Sequence, residues 1–390
     1  MKIKNLIPFI IVSLYSCNKS ELSISTSLEK KLGESAYNST NENSTDYKVK
    51  TFIDSNIQKT ANDALNDALI TNNADYGCVV IMETKTGKVK AMANLNKDLD
   101  GNYKYNATTA VCQANEPGGL IRTYDLMALL EDKKADTSSV FDTHGGEISF
   151  FGQKIRDSHA MNGKVSLATA FSISSNSVFA QAINNSYESN PNLFCSRYKK
   201  LGLDKPLNLP FTNEATPNFP DPKSKQWSAI TLPWLSIGYG FTVTPIQILT
   251  FYNAIANNGI MVKPLFLSEI KDKKGNLKTY ETEVLNSKIA SAKTVSSLRY
   301  LLTKKANGAG STILTSNNIT IAGNATAVPL EYADPSTKDK KYLASFAGYF
   351  PADKPKYSVV CFIYNPKSQV PIFGVMVCGN AIKTIAEKVK

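Results

Sequence analysis

The strand-like segments of this chain lie in two groups that are far apart in the sequence. Residues 77–83 and 88–93 are predicted to form a hairpin, and three further strands are predicted at 318–328, 342–350 and 357–364. The residues between the two groups are mostly helical patches and loops. We therefore predict one mixed α/β domain, with a five-stranded antiparallel sheet formed by both ends of the chain, helices on its faces and an inserted, mainly helical region.

The segment from Asn115 to Leu126 predicts a tight turn that leads into a helix over 118–131. Pro117 presets its φ angle, and Gly118 and Gly119 allow close backbone approach. Such a helix start presents backbone N–H groups and a partial positive charge. In this sequence the helix start carries no reactive side chain. Further helices are predicted from Asp54, over 165–184, over 245–256 and at the end of the chain over 372–388.

The first residues resemble an export signal. Lys2 and Lys4 precede a short apolar core at 6–12, and the sequence Leu14-Tyr15-Ser16-Cys17 resembles the lipobox of bacterial lipoproteins. We expect a signal peptide at 1–16, a flexible Ser/Asn-rich tether at 17–47 and the folded domain at 48–390. Lipidation of Cys17 would make the chain an exported, membrane-anchored lipoprotein facing the periplasm; an ordinary cleaved signal with a chance cysteine is the alternative.

The formal net charge of +11 does not by itself indicate a nucleic-acid partner, because no recognition helix or aromatic–basic pattern accompanies the lysines. Five cysteines follow Cys17, so one disulfide is conceivable but cannot be assigned. With two histidines and no Cys-x-x-Cys spacing, we expect neither a metal site nor a cofactor.

Several segments together resemble the transpeptidase domain of class B penicillin-binding proteins. They are the Gly-Tyr-Gly…Thr-Pro-x-Gln segment at 238–247, Asn257-Asn258-Gly259 followed by Lys263-Pro264, the strand and turn at 345–353, the hairpin at 86–93, and Glu116-Pro117-Gly118. The likeness covers roughly residues 50–390. It implies a β-lactamase/transpeptidase-like fold, acyl transfer by a serine, and a cleft for the D-Ala-D-Ala ends of wall peptides. Three motifs carry that chemistry: Ser-x-x-Lys, Ser-x-Asn and Lys-(Ser/Thr)-Gly.

The first motif is lost in this sequence. The positions of its serine and lysine are held by Gly119 and Arg122. Glycine offers no nucleophile, and a guanidinium stays protonated and cannot act as a base. Three interpretations of Arg122 remain open: an ion pair with Glu116 or Asp125, a side chain that fills the vacated space, or an anion site at the helix start.

The second motif is present as Ser174-Ser175-Asn176, whose first and third residues the resemblance assigns to substrate binding. The third is degenerate: Asn324 stands where the family has its lysine, although Thr326 is retained as a substrate-binding candidate. Matching strings elsewhere, such as Lys85-Thr86-Gly87, lie in the wrong order along the chain.

We therefore predict a transpeptidase-like lipoprotein that has lost covalent catalysis and binds a peptidoglycan stem peptide or an envelope-synthesis protein. The main alternative is an active D,D-transpeptidase or carboxypeptidase with an unusual nucleophile. Thr123, one turn below Gly119, is the candidate for that role. A third hypothesis is a structural assembly protein with no ligand in the cleft.

Overall fold

The structure, a computed structural model, describes residues 25–27, 30–31, 46–105, 109–330, 341–367 and 373–389. The predicted signal peptide, Cys17 and nearly all of the tether lie outside these residues. Within them, no helix combines the length and apolar character needed to cross a membrane.

The strands and helices are numbered separately in chain order. The strands are β1 Tyr47–Thr51, β2 Tyr76–Glu83, β3 Val89–Lys97, β4 Tyr103–Tyr105, β5 Val140–Asp142, β6 Glu147–Phe150, β7 Gln153–Arg156, β8 Lys164–Ser166, β9 Met261–Val262, β10 Leu267–Asp272, β11 Leu277–Thr279, β12 Val284–Asn286, β13 Ala322–Pro329, β14 Tyr342–Phe350 and β15 Tyr357–Tyr364. The α-helices are α1 Ser55–Thr71, α2 Thr109–Cys112, α3 Arg122–Glu131, α4 Leu167–Ile173, α5 Asn176–Tyr187, α6 Pro191–Lys200, α7 Thr231–Leu235, α8 Pro245–Ala256, α9 Ala292–Ala306 and α10 Gly374–Lys388.

The main sheet joins the two ends of the domain. Its strand order is β13-β14-β15-β2-β3-β4, and all neighbours are antiparallel. At the junction between the two groups, Val360 of β15 pairs with Val80 of β2. The predicted sheet is thus correct in its origin from both ends, but it has one strand more than predicted. The extra strand, β4, is three partly exposed residues long and lacks an alternating apolar pattern.

Helices cover both faces of this sheet, and for that reason its central strands are buried along most of their length. In β2, Val79 and Ile81 belong to the core formed with α1 and α10. Val80 and Met82 point to the opposite face and belong to the core formed with α3, α5 and α8. This second core is the larger one and supports the helices that border the candidate site.

Two predicted helices differ from their observed form. The predicted helix over 118–131 begins as a 3₁₀ turn, Gly118–Ile121, before α3. The predicted helix over 165–184 is wrong as a single element, because it is divided into α4 and α5 at Ser174. Ser174 has φ 61° and ψ 39°, a left-handed conformation that ends α4.

The helix predicted over 245–256 is confirmed as α8. Thr244 caps its first turn: the Thr244 hydroxyl accepts from the Gln247 N–H, and the Gln247 side chain accepts from the Thr244 N–H. The five cysteines from Cys78 onward are free thiols, so no disulfide forms within the described part of the chain.

Candidate functional site

The 3₁₀ turn that carries Gly119 is held by a loop from the middle of the chain. The Gly118 N–H donates to the Gly238 carbonyl at 3.1 Å. Gly238 has φ +83°, and a Cβ on it would lie 2.2 Å from the Gly118 carbonyl oxygen. Only glycine permits this approach. The Gly-Tyr-Gly segment therefore fixes the backbone from which residue 119 faces the site.

Arg122 fills the space that a side chain at position 119 would need. A Cβ on Gly119 would lie 2.0 Å from Arg122 Nη1 and 2.9 Å from Thr326 Oγ1. Arg122 Nη2 donates to Asn176 Oδ1. Arg122 forms no ion pair with Glu116 or with Asp125, so that interpretation is wrong. The space-filling interpretation is confirmed.

The two acids considered as partners of Arg122 have other environments. One Glu116 carboxylate oxygen accepts from the Gly240 N–H at 2.8 Å, although burial raises the pKa of this side chain. Asp125 is fully buried, and within the described structure neither of its carboxyl oxygens has a hydrogen-bond partner. Burial raises the pKa of Asp125 well above its usual range, with the nearby Arg122 opposing the shift, and this favours the protonated acid.

The second motif lies at the break between α4 and α5. Ser174 is the left-handed residue that ends α4, and Asn176 is the first residue of α5. Asn176 Nδ2 donates to the Arg156 carbonyl at 2.7 Å, while its Oδ1 accepts from Arg122. The Ser175 hydroxyl caps α5 and donates to Asp157 at 2.8 Å. These contacts fix the direction of the Ser175 and Asn176 side chains.

Lys305, in the last turn of α9, also reaches this break. Its Nζ lies 2.6 Å from Ser174 Oγ, 2.6 Å from the Phe171 carbonyl and 3.1 Å from the Ser172 carbonyl. Burial is the main cause that lowers the pKa of the Lys305 ammonium well below its usual range. Repulsion from the positive charge of the neighbouring Arg122 lowers this pKa further.

Lys305 was missed at the sequence level, although a signal was present. Leu298, Leu302 and Lys305 are spaced four and three residues apart, so they share the buried stripe of α9. A lysine on such a stripe is unusual, because lysine is rarely buried without a partner.

Strand β13 binds the backbone of Gly119 from the other side. Asn324 Nδ2 donates to the Gly119 carbonyl at 2.9 Å, and the Gly119 N–H donates to Thr326 Oγ1 at 3.2 Å. Asn324 is 2% exposed, and it supports the turn. The Gly119 N–H is thus satisfied by a hydroxyl of β13.

A cavity of about 510 Å³ opens at this point. Gly119, Arg122, Ser174, Asn176 and Thr326, all named from the sequence, line it together with Lys305. Asn324 is not among the lining residues. The Arg122 side chain therefore occupies the place of a residue-119 side chain without closing the cavity.

Thr123, the alternative nucleophile, is directed away from this cavity. It is fully buried, and its hydroxyl lies 2.7 Å from the hydroxyl of Tyr252. The string Lys85-Thr86-Gly87 forms the turn between β2 and β3 and borders a different depression. Among the described residues, no group of three His, Cys, Asp or Glu side chains is placed to hold a metal ion.

Comparison with known proteins agrees with this architecture. Residues 77–374 match the family described as the penicillin binding protein transpeptidase domain. The chain is 28% identical over 326 residues to the peptidoglycan D,D-transpeptidase FtsI of Buchnera aphidicola subsp. Schizaphis graminum, which covers 81% of this chain and 53% of that protein. It is 26% identical over 353 residues to FtsI of Escherichia coli K12, covering 85% and 55%. The chain thus spans about half the length of these curated relatives.

Solved structures share the fold at lower identity. The transpeptidase domain of Burkholderia pseudomallei penicillin-binding protein 3 superposes with a TM-score of 0.73 at 19% identity, covering 87% of this chain and 95% of that one. Penicillin-binding protein 3 of Mycobacterium tuberculosis, complexed with aztreonam, gives 0.75 at 22% identity, covering 87% and 78%.

Proposed function

Because the chain belongs to the penicillin-binding protein transpeptidase domain family, we propose that it is a non-catalytic member that acts by binding in cell-envelope synthesis. Its ligand is a peptidoglycan stem peptide or an envelope-synthesis protein. The sequence Leu14-Tyr15-Ser16-Cys17 supports the further proposal that it is an exported lipoprotein, anchored through Cys17 and facing the periplasm.

The observation that carries the proposal is the replacement of the serine and the lysine of the first motif as a pair. Position 119 has no side chain, and the guanidinium of Arg122 stands where that side chain would begin. In a comparable serine enzyme, loss of the nucleophile lowers turnover about a million-fold, which is about 8 kcal/mol of transition-state stabilisation. A guanidinium does not replace the lysine, because it does not accept the proton of a hydroxyl.

Binding remains compatible with these replacements. The cavity of about 510 Å³ lies within the range of small-ligand pockets. We propose that Ser174, Asn176 and Thr326, which all line it, contact the bound peptide. The fixed position of Asn176, between Arg122 and the Arg156 carbonyl, supports this role because a preorganised amide costs little entropy on binding.

Intact-protein mass spectrometry after exposure to a β-lactam tests the loss of covalent catalysis. We expect no mass increase for this chain, whereas an active D,D-transpeptidase treated in parallel gains one drug mass per protein. A stoichiometric adduct on this chain would contradict the proposal.

The alternative function is an active D,D-transpeptidase or carboxypeptidase. Because Thr123 is buried, this activity would require a different nucleophile. Ser174 is the accessible candidate, because its Oγ lies 2.6 Å from the Lys305 amine. An adduct mapped to Ser174, together with release of D-alanine from a pentapeptide that Ser174→Ala abolishes, would support an active D,D-transpeptidase or carboxypeptidase.

A further inference from the structure

A depression of about 600 Å³ at one end of the main sheet carries an excess of positive charge. The β2–β3 turn, the β14–β15 turn, the end of α8 and one residue of α9 form it, and it shares no lining residue with the cavity of the candidate site. Its acidic side chains are Glu83 and Asp353, and its basic side chains are Lys85, Arg299, Lys354 and Lys356. The depression therefore has two more positive than negative side chains.

The three lysines of the depression have no acidic partner. Lys85, Lys354 and Lys356 are exposed, and within the part of the chain that the structure describes none of them forms an ion pair. The Lys356 ammonium lies 5.1 Å from the centre of the Tyr357 ring, a contact that leaves its charge uncompensated. These three ammonium groups are therefore available to an external anion.

Two of the other charged groups act within the protein. Glu83 Oε2 accepts from the Thr86 hydroxyl in the β2–β3 turn. The Arg299 guanidinium donates to two carbonyls of the β14–β15 turn, at 3.2 Å and 3.0 Å. Arg299 thereby holds the turn that presents Lys354 and Lys356, so these two lysines project from a fixed backbone.

The depression adjoins the part of the domain from which the chain leads back to Cys17. A second cavity, of about 260 Å³, is bordered by Thr26 and Lys30. Thr282, whose neighbours on both sides line this second cavity, donates its hydroxyl to the Thr86 carbonyl at 2.9 Å. Cys17 and Thr26 are nine positions apart, and a fully extended chain of that length spans only about 30 Å. A lipid on Cys17 would therefore hold this end of the domain close to the membrane.

We propose that Lys85, Lys354 and Lys356 form a docking surface for the anionic phospholipid headgroups of the membrane. The inference rests on the proposed lipidation of Cys17 for the nearness of that membrane, whereas the charge of the surface belongs to the domain itself. A basic patch adds to the membrane affinity of a lipid anchor, and each lysine near an anionic surface strengthens the attraction. Because this attraction falls off within about 8 Å at physiological salt, the three lysines favour an orientation that places this end of the domain against the headgroups.

Co-sedimentation with vesicles tests the docking surface. The mature chain, residues 17–390 with Cys17→Ser, carries no lipid, so its binding reports the protein surface alone. We expect it to bind vesicles made of equal parts phosphatidylglycerol and phosphatidylcholine, to be released by salt, and not to bind pure phosphatidylcholine. The triple variant Lys85→Gln, Lys354→Gln and Lys356→Gln should bind the anionic vesicles about tenfold to a hundredfold more weakly.

The matched control is a second triple variant with the same change in net charge. It carries Lys133→Gln, Lys164→Gln and Lys225→Gln, which replace exposed lysines of the helical insertion. Its affinity should fall less than about threefold, because these lysines do not belong to the docking surface. Circular dichroism of both variants ensures that only folded protein is compared.

The outcomes separate this inference from the proposed function. Equal weakening in the two triple variants would overturn the docking surface. Polyphosphate binding through the three lysines, with no binding to vesicles, would overturn the assignment to a membrane. Mass spectrometry of the exported chain reports acylation of Cys17 independently. An acylated Cys17 without vesicle binding would overturn only the docking surface, whereas lysine-dependent vesicle binding with an unmodified Cys17 would support the surface and contradict the lipoprotein.

Discussion

The Arg122 guanidinium and the missing side chain of residue 119 occupy the same volume. A Cβ on Gly119 would lie 2.0 Å from Nη1 of Arg122, far inside van der Waals contact. The two positions are therefore sterically coupled: the arginine conformation seen here requires glycine, and a side chain at 119 requires the guanidinium to move.

Gly119→Ser alone should destabilise the protein by about 1–3 kcal/mol, because the new side chain overlaps a guanidinium held by Asn176. In an Arg122→Lys background the same change should cost about 1 kcal/mol less, since no guanidinium then occupies the site. Urea unfolding of the double-mutant cycle measures this coupling. Gly310→Ser is the control, because a Cβ there meets nothing within 4 Å. Additive effects would contradict the steric coupling.

Asp125→Asn should flatten the dependence of stability on pH. Burial raises the pKa of Asp125 well above its ordinary value of 3.8, so above pH 3.8 the folded state holds a proton that the unfolded state releases. Its contribution to the free energy of unfolding consequently falls by up to about 1.4 kcal/mol per pH unit until the folded-state pKa is reached.

Urea unfolding between about pH 4 and pH 8 checks this, and the advantage of the variant should grow as the pH rises. Asp63→Asn is the matched control, because Asp63 is exposed on α1 and paired with Lys59. If the free energy of unfolding has the same pH dependence in wild type and in Asp125→Asn, then the pKa of Asp125 is the same in the folded and unfolded states, and the prediction is wrong.

Binding of a carboxylate peptide should be accompanied by proton uptake. The pKa of Lys305 is held low by burial and then by Arg122, and an anion beside Ser174 raises it again. Above the lowered pKa, the complex therefore binds more protons than its separate components, so affinity falls as the pH increases.

Binding heats measured over a range of pH, from about 6 to about 9, in two buffers with different ionisation enthalpies report this uptake directly. Lys305→Met should remove the difference between buffers. His159→Gln should retain the difference between buffers, and this control excludes proton uptake by the histidine at the cavity. Identical heats for wild type in both buffers would contradict the linkage.

Asn324→Ala should destabilise the protein by about 1–3 kcal/mol, because the Gly119 carbonyl would lose its buried donor. Asn317→Ala, in an exposed turn, should change stability by less than about 0.5 kcal/mol. Thermal or urea unfolding provides both values. A neutral result at Asn324 would mean that the turn finds another donor, and that β13 does not determine the position of Gly119.

The origin of the sheet from both ends of the chain could be predicted because its strands carry strong apolar patterns. Residues of β14 and β15 are buried almost throughout, and apolar side chains dominate them. β4 could not be found this way, since its three residues are defined by pairing with the end of β3. Short edge strands depend on tertiary context more than on their own sequence.

The break at Ser174 was missed for a related reason. Serine has no strong preference against helix, and α4 and α5 have apolar faces that continue across the break. What stabilises the left-handed Ser174 is Lys305, which contacts its hydroxyl and two carbonyls of the last turn of α4. A lysine distant in the sequence thus determines a local backbone conformation that no window around residue 174 can predict.

The pairing of Val360 with Val80 also has a consequence for biogenesis. During synthesis, the β2–β3 hairpin emerges long before β13, β14 and β15, and its apolar residues have no sheet to join until the C-terminal part of the domain has left the ribosome. Nascent chains that stop before β14 should accordingly remain protease-sensitive, even though they already contain α1, the first hairpin and the whole helical insertion. A protein with this topology can cross a membrane unfolded and complete its sheet only afterwards.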